Sequence, residues 1–397
     1  MREEKDYVIV TVSGQDRPGI TAAFTNIIVA HNVEIVDIDQ ATLHDFLALS
    51  FLLDLTGSSR TKDSVLKDML FEANRLEMRL NFQMRSEKEI PHKKDKKLFV
   101  LTVFGGTPVL AAVADLLGEH RANIEKISNL SLQSAECIEL TIDTRNVTSL
   151  SGLKERLMTK SAELDIDLAF QSIEAYRKSK RLVVFDMDRT LIDTEVIDEM
   201  ARAAGAYDEV SRVTEKAMRG DLDFEDSLRQ RVAFLKGLKM SDVETIRDGL
   251  ALSEGARELV DTLRRLGYRI GVVSGGFDVF ADHLKETLGL DFAFANTLEV
   301  KNGVLTGRLS GDVIEDASKA KLVNRMAREM SILLDQTVAI GDGANDRLML
   351  GQAGLGIAYN AHQALKRSAS VTLGHKRLMN ILYILGITEE DMQATSR

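Results

Sequence analysis

One apolar stretch that ends in two carboxylates constrains the fold of this chain more than any other feature. Residues 181–190 read RLVVFDMDRT, so an apolar run leads directly into Asp186 and Asp188. A short run of β-branched and aromatic residues is typical of a strand buried on both faces of a parallel sheet. Because side chains alternate along a strand, both carboxylates leave the backbone on the same side. The stretch predicts an α/β sheet with two acids at its carboxyl edge, where such sheets place active sites.

Aspartate is also common in solvated turns after strands, so this pair alone leaves a structural role equally open. Three further clusters make the functional interpretation more specific. Ser274 ends an apolar run and precedes two glycines, whose N–H groups can approach an anion closely. Lys319 lies early in a predicted helix, and 341–346 read GDGAND directly after another apolar strand. Together the clusters supply the nucleophile, the acid, the phosphate donors and the Mg²⁺ ligands that phosphoryl transfer needs.

The chain before residue 176 contains two diverged repeats, each predicted as β-α-β-β-α with a final strand. In the first repeat, the strand at 7–12 is followed by the turn GQDRPG at 14–19, with Pro18 placed to open a helix. We expect the second helix of this repeat at 64–80. The second repeat begins with LFVLTV at 98–103, which matches YVIVTV at the start of the first.

The βαββαβ order and the turn G-x-D-x-P-G resemble the ACT domain, a ferredoxin-like α+β module that binds amino acids. The resemblance implies a regulatory site where backbone N–H groups at a helix start receive a carboxylate. Its residues would be Gly14, Asp16, Pro18 and Gly19. By analogy with end-product control, the expected ligand is L-serine or another amino acid. A role limited to pairing subunits is equally open for the repeats, and a homodimer is expected.

From residue 181 to about 385 the chain resembles the haloacid dehalogenase superfamily, and within it the phosphoserine phosphatases. The motifs FDMDRTLID, VVSGGFD, FAN, LTGRLSG and AIGDGAND carry the resemblance. It implies Mg²⁺-dependent hydrolysis of O-phosphoserine to L-serine and phosphate, the last step of serine biosynthesis. Asp186 would be the nucleophile that forms an aspartyl phosphate, and Asp188 would be the acid and base.

The same resemblance assigns the remaining groups of the site. Mg²⁺ would be held by the carboxylates of Asp186 and Asp342 and the carbonyl of Asp188, with Asp346 supporting it from outside. The phosphoryl oxygens would contact Ser274, Gly275, Lys319 and Asn345.

A helical insertion at about 194–253 resembles the cap that closes over the substrate in this superfamily. Glu195 would receive the substrate ammonium and Arg231 its carboxylate, with Met218 and Phe224 as apolar contacts. The ordinary alternatives are that Glu195 only complements a helix dipole and that Arg231 lies on the surface. Arg189 stands where the family usually has a small residue. It could reach a second anionic group of the substrate or pair with a cap acid.

The resulting domain organisation is an ACT domain at 1–86, a linker at 87–96 and a second ACT domain at 97–175. A phosphatase domain with a Rossmann-like parallel sheet is expected at 180–397, and a hairpin turn at Asn302 and Gly303 is expected to form a flap beside the site.

Composition excludes several classes of function. The net charge of -10 argues against non-specific nucleic-acid binding, and no apolar run reaches the length of a membrane span. Cys137 is the single cysteine, so neither an intramolecular disulfide nor a cysteine metal site is expected, and we predict that it is a core residue. We expect a cytoplasmic enzyme. Two alternatives are a related phosphatase for another small phosphomonoester and a sensor without catalysis.

Overall fold

The chain forms two compact units that divide after Lys96. The computed structural model describes residues 6–56, 59–90, 96–131, 136–173, 177–219, 221–361, 371–374 and 377–394, without the side chains of 59–62, 88 and 218. Within these ranges, no helix combines the length and the apolar character needed to cross a bilayer. The division falls at the end of the predicted linker, while the other predicted domain boundaries stay predictions.

The first unit is one antiparallel sheet with two helices on one face. Its elements are β1 (Asp6–Gln15), α1 (Ile20–Ala30), β2 (Glu34–Leu43), β3 (Phe46–Asp54), α2 (Ser59–Arg75) and β4 (Arg79–Ser86). The strands lie in the order β2-β3-β1-β4. Phe24 and Ile28 of α1 and Met69 of α2 are buried against the sheet. The predicted βαββαβ order is therefore confirmed.

Two details of the first repeat differ from the predictions. The expected helix at 64–80 ends at Arg75, because Glu77 adopts a left-handed conformation with φ 54 and the Met78 N–H bonds the carbonyl of Ala73. Pro18 does not open the helix itself. It precedes Gly19, which is the N-cap residue of α1 and has a φ of 98. Strand β1 also continues through Gly14, a residue that was predicted to lie in the turn.

The second unit begins with the second repeat. Its elements are β5 (Leu98–Phe104), α3 (Thr107–Glu119), β6 (Asn123–Asn129), β7 (Cys137–Asp143), α4 (Leu150–Leu164) and β8 (Leu168–Ser172). Their order β6-β7-β5-β8 is the order of the first repeat. Cys137 is buried in β7, as predicted, and burial raises the pKa of its thiol. Strand β8 also pairs with a strand of the following sheet, so the second repeat and the phosphatase core share one sheet.

The core sheet places its strands in the order β12-β11-β10-β9-β13-β14-β15. Its strands are β9 (Leu182–Phe185), β10 (Arg269–Phe277), β11 (Phe292–Lys301), β12 (Val304–Ser310), β13 (Thr337–Gly341), β14 (Leu355–Tyr359) and β15 (Val371–Leu373). All pairs among them are parallel except β11 with β12. Every residue of β9 is buried, as the apolar run predicted. The predicted hairpin turn has Asn302 and Gly303 at positive φ.

Among the described residues, four α-helices form the predicted insertion, and six more belong to the rest of the phosphatase region. The insertion contains α5 (Val196–Ala204), α6 (Tyr207–Met218), α7 (Phe224–Ala233) and α8 (Met240–Asp248). The core helices are α9 (Ala256–Arg265), α10 (Asp278–Leu288), α11 (Asp316–Glu329), α12 (Arg347–Gln352), α13 (Asn380–Ile384) and α14 (Glu389–Ala394). The fold class predicted from the sequence is confirmed.

Candidate active site

The carboxyl ends of three parallel strands meet at one cavity. Asp186 follows β9, Asp342 follows β13 and Ser274 lies in the carboxyl half of β10. These residues line a cavity of about 340 Å³ that is closed on the other side by residues of α5, α6 and α7. The sheet therefore gathers motifs that are far apart in the sequence, as parallel strand ends require.

Lys319 is a fully buried charged group of the site. It lies on α11 with 0% exposure, and its Nζ donates hydrogen bonds to Asp186 Oδ1 at 2.7 Å and to Asp346 Oδ1 at 2.8 Å. Burial alone would lower the pKa of Lys319, but the two carboxylates outweigh it and raise the pKa above its usual value. The ammonium group is therefore a fixed positive charge that holds two acids together.

The acids of the site carry more negative charge than one lysine balances. Burial, followed by the charge of Asp346, raises the pKa of Asp186 to about 7. Burial, followed by the charges of Asp186 and Asp346, raises the pKa of Asp342 to about 8. Carboxylate oxygens of these three residues lie within 4.8 Å of one another. Hard oxygen ligands at this spacing fit a divalent cation such as Mg²⁺, whose charge would keep the acids ionised.

Asp188 lies in a different environment from Asp186. Its Oδ1 accepts a hydrogen bond from the Val196 N–H at 2.8 Å, and its Oδ2 lies 3.5 Å from Ser274 Oγ. Burial, followed by the charges of Glu195 and Asp186, raises the pKa of Asp188 well above its usual value. A carboxyl group with a raised pKa is suited to protonate a leaving group.

The carboxyl end of β10, where its pairing with β11 shifts register after Val273, forms a short loop whose Gly275 and Gly276 line the cavity. A Cβ atom on Gly275 would lie 2.8 Å from the Phe224 ring, and one on Gly276 would lie 2.7 Å from Asp188 Oδ2, so neither position has room for a side chain. Asn345 lines the cavity beside this loop. The residues predicted to bind the phosphoryl oxygens, Ser274, Gly275 and Asn345, therefore line the same cavity as the acids.

Asn296 holds this loop, and sequence reasoning did not single it out as a site residue. Its Nδ2 donates to the Gly275 carbonyl at 2.8 Å, and its Oδ1 accepts from the Ile314 N–H at 2.7 Å. The side chain is 2% exposed and follows the apolar residues at the start of β11. A polar residue after a buried parallel strand was the available signal.

The helical insertion contributes two opposite charges to the cavity. Glu195 precedes α5, Arg231 lies on α7, and Phe224 begins α7; all three line the cavity. Arg231 is 8% exposed, so the alternative that it lies on the surface is wrong. Its Nε has no hydrogen-bond partner in the described part of the chain. Met218 is the last residue of α6, and its side chain lies outside the described residues.

Burial also shifts the pKa values of this charge pair. It raises the pKa of Glu195, against the opposing effect of Arg189 and then Arg231. It lowers the pKa of Arg231, against the opposing charge of Glu195. A substrate that brings an ammonium group to Glu195 and a carboxylate to Arg231 would offset both burial costs.

The sequence left two roles open for Arg189, and the structure shows it paired with an acid. Its Nε lies 3.3 Å from Glu195 Oε2, so it pairs with the acid at the start of the insertion. The residue lines the cavity and adopts a left-handed backbone conformation with φ 53. Arg189 therefore occupies one side of the acid predicted to receive the substrate ammonium.

The predicted regulatory turn belongs to the first unit. Gly14 lies within β1, the Asp16 N–H bonds the Asp45 carbonyl at 2.7 Å, and Pro18 and Gly19 lead into α1. Thr42 Oγ1 lies 3.5 Å from Asp16 Oδ2, and both Asp16 and Gly19 are exposed. The helix start is thus open to a ligand, while its role stays a prediction.

Family comparisons agree with these two regions. A model of haloacid dehalogenase-like hydrolases matches residues 183–351, and a model of the ACT domain matches residues 6–83. A phosphoserine phosphatase of Streptomyces coelicolor is 40% identical, with 98% of this chain and 94% of that protein covered. One of Mycobacterium tuberculosis is 37% identical, with 98% and 95% covered.

The chain belongs to the phosphoserine phosphatase family. A solved structure described as a probable phosphoserine phosphatase from Vibrio cholerae is 34% identical, with a TM-score of 0.60, and covers 76% of this chain and 90% of its own. A substrate-bound phosphoserine phosphatase structure is 45% identical with a TM-score of 0.50, covering 52% and 98%. Membership in the phosphoserine phosphatase family confirms the resemblance found in the sequence. The roles of individual residues stay predictions.

Proposed function

We propose that the protein hydrolyses O-phosphoserine to L-serine and phosphate through an aspartyl phosphate on Asp186. The observation that carries this proposal is the arrangement of three charges around one cavity. Asp186 lies at the strand end, while Glu195 and Arg231 line the side formed by the insertion. A phosphorylated amino acid has a phosphorus atom for Asp186 to attack, an ammonium group that Glu195 complements and a carboxylate that Arg231 complements. The names of the full-length relatives support the same substrate.

Asp186 and Asp188 divide the chemistry in this proposal. The Asp186 carboxylate attacks phosphorus, and Asp188 gives its proton to the serine oxygen that leaves. Asp188 then removes a proton from the water that attacks the aspartyl phosphate, which releases phosphate and restores Asp186. Lys319 holds Asp186 in position by its 2.7 Å hydrogen bond and offsets negative charge on the phosphoryl group.

Mg²⁺ is the cofactor in this proposal. The carboxylates of Asp186 and Asp342 and the carbonyl of Asp188 would hold it, with Asp346 beside them. Bound there, the ion would neutralise the acids and the phosphoryl oxygens and so favour the ionised nucleophile. The clustering of the Asp186, Asp342 and Asp346 oxygens supports this assignment.

Phosphate release from O-phosphoserine tests the proposal directly. We expect turnover with Mg²⁺ and none after treatment with EDTA, and turnover should return when Mg²⁺ is restored. A panel with phosphothreonine, phosphoethanolamine and a sugar phosphate distinguishes the related-phosphatase alternative. A clear preference for any of these over phosphoserine contradicts the substrate assignment.

Because its product is L-serine, the proposed reaction would be the last step of serine biosynthesis. We also propose that an amino acid, with L-serine as the first candidate, binds at the turn formed by residues 14–19. The exposed helix start at Gly19 supports this site, because unpaired N–H groups there attract a carboxylate. The ACT match over residues 6–83 supports an amino acid as ligand. Pairing of these modules in a homodimer belongs to the same proposal.

Serine titration into the full chain tests the regulatory site. Serine as product also binds the active site, so the comparison uses Arg231→Ala to weaken that site and Asp16→Ala to weaken the turn. We expect residual heat in Arg231→Ala that disappears when Asp16→Ala is added. If the double variant keeps that heat, the ligand does not bind at the turn. Sedimentation of the wild type tests the dimer.

A further inference from the structure

Asn296 lies where the pairing between β10 and β11 resumes after an interruption. Val273 pairs with Phe294 and Phe277 pairs with Asn296, so β10 has two more residues than β11 between these pairs. Residues 274–276 therefore fall outside the paired register, and they form a loop that lines the cavity. A loop released from its ladder needs other hydrogen-bond partners to keep one conformation.

The Asn296 side chain is such a partner. Its Nδ2 donates to the Gly275 carbonyl at 2.8 Å, while its Oδ1 accepts from the Ile314 N–H at 2.7 Å. The carbonyl can only accept and the N–H can only donate, so these two contacts fix the orientation of the amide. Asn296 is 2% exposed, and a buried amide with partners at both ends is held rigidly.

The contact with Gly275 determines how Ser274 is oriented. The Gly275 carbonyl and the Gly276 N–H belong to one planar peptide unit, so fixing the oxygen also fixes the direction of the N–H. This N–H donates to Ser274 Oγ at 2.9 Å. Ser274 Oγ therefore accepts from the loop and keeps its proton for an acceptor in the cavity, where Asp188 Oδ2 lies 3.5 Å away.

The contact with Ile314 connects the same amide to the helix that carries Lys319. Ile314 lies between β12 and α11, directly before the N-cap residue Glu315. Lys319 follows within α11, and its backbone N–H bonds the Glu315 carbonyl at 2.8 Å. One amide thus joins the loop of Ser274 to the start of the helix that holds the buried lysine.

We propose that Asn296 is a positioning residue for phosphoryl transfer, which keeps Ser274 and Lys319 at a fixed spacing around the phosphoryl group. Asn296 is not among the described residues that line the cavity, so it acts through the loop and the helix. This role rests on the proposed phosphatase function. Donors that are fixed before the phosphate arrives need no reorganisation during the reaction, which lowers its barrier.

Two measurements on the Mg²⁺-loaded full chain test this role: turnover of phosphoserine and calorimetric binding of inorganic phosphate. Asn296→Leu removes both hydrogen bonds at similar size, so we expect kcat to fall about 10- to 100-fold and the Kd of phosphate to rise about tenfold. Thr297→Val is the matched control, because Thr297 is the next residue of β11 and its hydroxyl donates to Asp278 at an exposed position. Both constants should stay near the wild-type values in this control.

Asn296→Asp distinguishes positioning from general support of the fold. Its carboxylate can still accept from the Ile314 N–H, but it can donate to the Gly275 carbonyl only when it is protonated. Since burial raises the pKa of a carboxyl group, kcat relative to the wild type should rise as pH falls from about 8 to about 5.5. The same ratio for Asn296→Leu should stay constant, because leucine does not titrate.

Wild-type kcat and phosphate affinity in Asn296→Leu would overturn the role of Asn296. A ratio for Asn296→Asp that is equally low at every pH, or an equal loss in Thr297→Val, would also overturn it. If Asn296→Leu unfolds, the isosteric Asn296→Asp decides. A wild type that does not hydrolyse phosphoserine contradicts the proposed function instead, and phosphate binding then still reports on Asn296.

Discussion

The two ends of the core sheet carry opposite charges and do different work. The carboxyl ends gather Asp186, Asp342 and Asp346 around one buried lysine, and burial raises the pKa of the first two. The amino ends gather Arg177 and Lys180 at the junction with the second repeat. At the carboxyl ends, crowded and buried acids have raised pKa values, and a bound cation would stabilise their ionised forms. Groups with such shifted pKa values are typical of catalytic sites.

This comparison predicts that the buried charges at the carboxyl ends are needed for turnover and that those at the amino ends are needed for stability. At the carboxyl ends, removing an acid should abolish turnover and leave the fold intact, since the acids repel one another. At the amino ends, Arg177 pairs with Glu139 across the junction, so its removal should weaken the fold and leave turnover intact. Variants at the two ends can separate these two outcomes.

Asp186→Asn should give the largest effect. The neutral amide cannot attack phosphorus, so we expect kcat for phosphoserine to fall on the order of 10³-fold or more. Tm should stay close to that of the wild type or rise. Asp193→Asn is the control, because Asp193 is an exposed aspartate of the same loop. Turnover in Asp186→Asn near the wild-type rate would mean that the nucleophile is assigned wrongly.

Arg177→Gln should produce the opposite pattern. Removing one partner of a buried ion pair costs about 3–5 kcal/mol, so Tm should fall by several degrees while kcat/KM of the folded protein stays the same. The double variant with Glu139→Gln should recover part of the lost stability, because no unpaired charge remains. Denaturant unfolding measures both. An additive loss in the double variant would show that the pair itself contributes little.

Arg231→Ala should raise KM for phosphoserine by about 10- to 100-fold, the effect expected for loss of a charged hydrogen bond. Phosphoethanolamine lacks the carboxylate, so its kcat/KM should change far less. Arg229→Ala, at an exposed position of the same helix, is the control. An equal loss of kcat/KM for both substrates would show that Arg231 positions α7 and does not recognise the substrate carboxylate.

The metal-free protein should lose stability as pH rises. The raised pKa values of Asp186, about 7, and Asp342, about 8, mean that the folded state favours neutral carboxyls. Their contribution is complete below the unfolded pKa near 4 and is lost as pH rises through 7 and 8. We expect Tm measured in EDTA to fall across this range, and Mg²⁺ to raise Tm more at pH 8 than at pH 6.

Asp342→Asn should flatten this dependence, because the amide does not titrate. A metal-free Tm that is independent of pH between 6 and 8.5 in the wild type would contradict the charge crowding at the carboxyl ends. Thermal unfolding in matched buffers, with and without Mg²⁺, provides all of these measurements.

The sequence predicted the carboxyl ends of the sheet much better than the amino ends. Asp186, Ser274 and Asp342 each follow an apolar strand, so local pattern and parallel topology together place them at one edge. Arg177 and Lys180 follow no such rule. Their burial comes with tertiary contact between segments that are distant in the chain, since Arg177 pairs with Glu139 and Lys180 donates to the carbonyl of Asp335. A charged stretch before a strand reads as solvated until that tertiary contact is known.

The same limit applies to Asn296 and to Glu77. Asn296 acts through hydrogen bonds to Gly275 and Ile314, which only the folded loop brings near it. Glu77 ends α2 by adopting positive φ, whereas the apolar residues around it continue the helical pattern of the sequence. Periodicity reports which face is apolar, and it does not report where a cap interrupts the backbone.

Arg189→Ser should give the smallest change in KM among these variants. It tests whether Arg189 competes with the substrate ammonium for Glu195. Arg189 is 48% exposed and lies 3.3 Å from Glu195, so the pair is worth at most about 1 kcal/mol. Since the substrate ammonium would compete with Arg189 for Glu195, the variant should lower KM for phosphoserine by up to about fivefold. A phosphate ester without an ammonium group, such as 3-phosphoglycerate, should gain nothing. If Arg189 instead contacts the substrate as a second anion receptor, KM for phosphoserine should rise, and competition for Glu195 is then excluded.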